Sequence, residues 1–83
     1  MLTGFQIRAA RAAAKLTARQ LAERAGVSLP TIQRFEQVDG VPPSRSSTLL
    51  DVKTALEAAG IEFIGTPTDR PGIRIGRPAV EPG

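Results

Sequence analysis

The sequence predicts a mostly α fold, a bundle of four helices followed by a short C-terminal β-hairpin. Three observations lead there. Apolar residues recur at helical spacing in four segments before Gly60. Serine, threonine and glycine stand where those segments must start and stop. Beyond Gly60 the apolar residues alternate with polar or small ones, which is the period of a strand.

The first helix is expected over residues 4–15. It carries five alanines and a shallow apolar stripe of Ile7, Ala10 and Ala14, with Thr3 as N-cap. The second opens at Thr17, whose capping box Gln20 completes three residues on, flanked by Leu16 and Leu21 as a hydrophobic staple. Gly26 stops it after barely two turns as the left-handed residue past a helix end. Ser28 then caps a third helix, with Pro30 in the first turn and Val27 and Ile32 as a second staple; Ile32 and Phe35 share its inner face.

Residues 37–46, with Gly40, Pro42 and Pro43, are expected to form a loop. Ser46 or Ser47 opens a fourth helix whose Leu49, Val52, Leu56 and Ala59 keep to one stripe. Gly60 closes it, with Ile61 meeting Leu56 in a Schellman ending. Residues 61–64 and 73–75 are read as strands joined by a loop at 65–72. The organisation expected is a helical domain at 1–60, a hairpin at 61–77 serving as a dimerisation element, and a frayed tail at 78–83.

Composition narrows the function. Among 83 residues there is no Cys, His, Trp or Tyr. The usual zinc and iron-sulfur ligands and the Ser-His or Cys-His nucleophile pairs are therefore absent, and no catalytic, cofactor or metal site is expected. An acid/base enzyme built on Asp or Glu would need clustered carboxylates, which the sequence does not show. Lack of cysteine, of a signal-like apolar core and of any run near the ~20 apolar residues of a membrane span points to a cytoplasmic protein with no membrane partner. A chain this short buries only about 60% of its unfolded surface, which makes self-association a reasonable expectation.

Charge is asymmetric. Up to Glu36, six cations (Arg8, Arg11, Lys15, Arg19, Arg24 and Arg34) face only Glu23 and Glu36, leaving +4, whereas the rest of the chain nets −1. A basic half of this kind suits a polyanion bound through its phosphates.

The stretches QIRAAR, LTARQLAERAGVSLPTIQRFE and STLLDVKTALEAAG resemble the Cro/XRE family of lambda-repressor-like helix-turn-helix regulators. Ala22, Gly26, Ile32 and Phe35 carry the spacing, supplying a small residue, the turn glycine and two core contacts. The resemblance implies a four to five-helix DNA-binding bundle whose third helix enters the major groove of double-stranded DNA. By position, Ser28, Leu29, Pro30, Thr31, Gln33 and Arg34 would face the bases, while Thr17, Arg19, Ser44, Arg45 and Ser46 would meet phosphates. Arg34 can donate two hydrogen bonds to guanine, and Leu29 and Pro30 can pack on thymine methyl groups. Ala18 stands where many relatives carry glutamine. Arg8 and Lys15 read as solvated charges. Arg11 resembles the family arginine that pairs internally with a glutamate at the end of helix three, here Glu36.

The hairpin places Ile61 and Phe63 on one face, with Ile73 and Ile75 alternating likewise and Ile64 beside them. Those side chains can fold onto helix four of their own chain or pair with a second copy, and the second arrangement is expected because it removes exposed sheet edges. The function expected is a transcriptional regulator, most economically a repressor, acting as a homodimer on a palindromic operator. The alternative is an antiactivator-like or antitoxin-like module that grips another regulatory protein through Leu29 and Pro30 or through the hairpin.

Overall fold

The computed structural model describes residues 2–76. Four helices and two strands follow in order: α1 (Gly4–Ala13), α2 (Ala18–Ala25), α3 (Leu29–Glu36), α4 (Ser46–Ala58), β1 (Ile61–Thr66) and β2 (Asp69–Ile75). The bundle has four helices among the described residues, with no fifth. None of them is long and apolar enough to cross a membrane. The tail expected at 78–83 lies outside the described residues, as does residue 77.

Local chemistry accounts for the helix starts. Thr17 Oγ1 accepts from the Gln20 amide at 3.0 Å, and Gln20 Oε1 accepts from the Thr17 amide at 2.9 Å, completing the box. Thr3 and Gln6 build the same reciprocal box at α1, with both main-chain bonds at 3.0 Å. Ser28 Oγ caps the Thr31 amide of α3 at 3.3 Å. Helix α4 differs: Ser46 is its first helical residue, and Arg45 stands at the cap without a side-chain bond.

The ends depart from expectation in two places. Helix α1 stops at Ala13, and Lys15 takes the left-handed conformation at φ 60°. The Leu16 amide donates to Arg11 O and the Lys15 amide to Ala12 O, both at 3.0 Å, which are the two bonds of a Schellman ending. A glycine is absent there, so the composition concealed it. At α2 the same pair of bonds surrounds Gly26 at φ 71°. At α4 the expected Schellman ending is half formed: Gly60, at φ 93°, donates to Glu57 O at 3.0 Å, which is one of its two bonds, while Leu56 O accepts from the Ala59 amide at 3.0 Å.

The expected loop at 65–72 is also corrected, because both strands run into it and leave only Pro67 and Thr68 as the turn. The pairing is antiparallel, with Ile61 opposite Ile75, Phe63 opposite Ile73 and Ile64 opposite Gly72. A bulge between Ile64 and Thr66 re-registers the strands around Gly65, at φ 77°, and Arg70, at φ 52°. Proline and glycine, read as breakers, serve here as bulge and turn residues.

One core holds these elements together. Ile7, Leu21, Ile32, Phe35, Val52 and Leu56 are fully buried, each contributing about 1.5–3 kcal/mol of apolar burial. Ile61 joins them, and Phe63 and Ile73 pack half-buried against the same cluster. The hairpin therefore lies on α1 and α4 of its own chain.

Candidate nucleic-acid interface

Helices α2 and α3 are joined by a turn built on Gly26. Its left-handed backbone reverses the chain, and Ala22 lets the two helices approach closely. Ile32 and Phe35 point inward without exposure, so the opposite edge of α3 is turned to solvent. On that edge Pro30, Gln33 and Arg34 are exposed, Thr31 is half-buried, and Ser28 is exposed at the cap. Leu29 is half-buried and packs against the core, which withdraws part of its side chain from the surface.

Hydrogen bonding sorts the candidates further. Ser28 Oγ and Thr31 Oγ1 lie 2.8 Å apart and share a bond while Ser28 also caps the helix. Gln33 and Arg34 keep their amide and guanidinium donors for an external partner; the Arg34 guanidinium carbon stands 5.7 Å from the centre of the Phe35 ring. Thr17 spends its acceptor on the α2 cap, whereas Arg19, Ser44, Arg45 and Ser46 are all exposed.

Electrostatics separates the cations into two groups. Among the described residues, Lys15, Arg19, Arg24, Arg34 and Arg45 are in no ion pair. All five belong to α2, α3 or the segments that lead into α2 and α4. Arg11, by contrast, is used internally. Its Nε and Nη2 donate to Glu36 Oε2 and Oε1 at 2.8 and 3.0 Å, and its Nη1 donates to Leu16 O at 3.0 Å. The hydrogen bond to Glu36 raises the Arg11 pKa above its ordinary value, against the opposing effect of burial.

Arg8, read as a solvated charge, is instead a clamp. It donates to the Glu36 carbonyl and pairs with Asp39 at 2.7 Å, while its guanidinium carbon sits 5.8 Å from the Phe5 ring centre. Arg8 and Arg11 thus bind the C-terminal end of α3 from α1, and favour it electrostatically because helix C-termini carry partial negative charge. Gln6 was missed. Its Nε2 donates to Ile64 O at 3.2 Å and Gly72 O at 2.9 Å, tying α1 to both strands. The Thr3-x-x-Gln6 spacing announced the capping half of its role; the bonds to the hairpin carry no signal in sequence.

Of the hairpin residues assigned to a dimer, Ile61 is buried and Phe63 and Ile73 half-buried within the chain, while Ile64 is 36% and Ile75 72% exposed.

This geometry, two capped helices around a left-handed glycine with an exposed polar edge and uncompensated cations, defines a helix-turn-helix unit. The model of a helix-turn-helix domain family matches residues 3–62. The chain belongs to that family, which is related to the Cro/XRE type and points to a DNA-binding regulator. No curated protein matches the chain.

Proposed function

We propose that this chain is a sequence-specific transcriptional regulator of Cro/XRE type, a repressor that occupies a palindromic operator as a homodimer. The carrying observation is the coincidence of exposed Gln33 and Arg34 on α3 with four further cations, Lys15, Arg19, Arg24 and Arg45, that are in no ion pair among the described residues. Arg34 and Gln33 read base edges in the major groove, with Pro30 and the exposed part of Leu29 making apolar contacts beside Ser28 and Thr31. Arg19, Arg45, Ser44, Ser46 and Thr17 hold phosphates on either side, setting the register. A second copy supplies the other half-site.

Binding to random duplex and to a selected palindrome, each at two salt concentrations, tests the reading. A regulator gives salt-dependent background binding and a much tighter selected site. Absence of any duplex binding at low salt removes it and leaves the protein-interaction alternative, whose Leu29–Pro30 surface is weakened by the partial burial of Leu29.

A further inference from the structure

Helix α4 carries a large apolar side chain that the described residues leave largely exposed. Leu50 is 58% exposed, beside a groove of about 350 Å³ between α4 and the hairpin. Leu2, Leu49, Leu50 and Phe63 supply its apolar wall, and Ser46 and Lys53 contribute polar groups.

Charge selects the occupant. Among the described residues, every cation of α4 and the hairpin is paired within the chain: Lys53 with Glu57, Arg74 with Glu62 and Arg70 with Asp69. Apart from Arg45 at the start of α4, the described residues of this region carry no unpaired cation, whereas the unpaired cations of the α2–α3 surface would make two copies of it repel each other. Among the described residues of α4 and the hairpin, one anion, Asp51, is exposed, in no ion pair and next to Leu50. One cation, Lys53, lines the groove and holds Glu57 only at 3.4 Å, with 41% of its side chain exposed.

We propose that a second copy of this chain covers the groove, with Leu50 of each protomer seated in the groove of the other about a two-fold axis. Such an interface is self-complementary, as two-fold contacts must be. Because Leu50 lines the groove it enters, the two Leu50 side chains lie beside the axis, and Asp51 of one protomer meets the partner's Lys53. Helix α3 packs mainly on α1 and α2, so its outer edge stays open to DNA. Ser46, which borders the groove, brings the axis close to the loop proposed to hold phosphate. The inference rests on the homodimeric reading above and gives it a specific surface, leaving Ile61, Phe63 and Ile73 in their intrachain packing.

Sedimentation velocity on the full chain, from micromolar to near-millimolar concentration, is the test. The wild type should dimerise. Leu50→Glu and Asp51→Lys should each raise the dissociation constant about tenfold or more, equivalent to about 1.4 kcal/mol. The double variant Asp51→Lys/Lys53→Asp should recover dimerisation, since the pair is restored with its signs exchanged. All three positions are at the surface, and melting curves check that the variants fold. Leu50→Cys, in a chain with no other cysteine, should yield a disulfide-linked dimer on mild oxidation. A monomeric wild type overturns the proposal, as do unchanged dimers in Leu50→Glu or a double variant that fails to recover. Binding of the same samples to random duplex at low salt judges the DNA reading separately, because a monomer retains its cations.

Discussion

Arg11 shows how one side chain can be withdrawn from a basic surface. Three of its five N–H groups are engaged by the Glu36 carboxylate and the Leu16 carbonyl, and its charge is matched by Glu36. Arg11→Ala strands a mostly buried Glu36 and should lower unfolding stability by about 2–4 kcal/mol in urea melts. A raised pKa in the folded state contributes stability below the unfolded value, so the guanidinium keeps its charge throughout neutral and acid pH. Lys15 offers the opposite prediction. Its left-handed backbone carries strain that glycine does not, so Lys15→Gly should raise stability by about 1 kcal/mol in the same melts. On DNA, Arg34→Ala should lose about 1–3 kcal/mol of preference at one base position. Arg45→Ala should weaken all duplexes alike and reduce the salt slope by about one.

At the scale of elements, the telling contacts are those that seat α1. Gly4 is required by close approach, since a Cβ there would collide with the Phe35 and Val38 carbonyls at the end of α3. Both obstacles are backbone, so Gly4→Ala must shift the helix, with an expected loss of about 2–3 kcal/mol and weaker duplex binding as α3 moves. Gln6 seats the other side. Gln6→Leu leaves the Ile64 and Gly72 carbonyls without their donor and should cost about 1–3 kcal/mol, with hydrogen exchange rising first in the hairpin. The helix starts at Thr3, Thr17 and Ser28 were legible, because a cap is a contact between residues three apart. The α1 end and the full length of the strands were not. Lys15 and Arg70 adopt left-handed conformations that their side chains do not advertise; the two bonds of the α1 ending accompany the first, and the bulged pairing of the hairpin accompanies the second.

Across the whole molecule, the positive charge is distributed by pairing as much as by sequence. Arg8 and Arg11 count toward the basic half, yet both are consumed in holding α3, while Lys15, Arg19, Arg24, Arg34 and Arg45 remain to act on a partner. The helix-turn-helix, its turn glycine, its inward Ile32 and Phe35 and its outward Gln33 and Arg34 were determined by the sequence alone, since each follows from local spacing and capping. Tertiary structure decided which cations are available, how far Leu29 is withdrawn and where the hairpin rests. It turned Ile61, Phe63 and Ile73 onto the chain's own core and left Leu50 largely exposed beside a groove. Periodicity records which face of an element is apolar; only the packing of distant segments determines what meets that face.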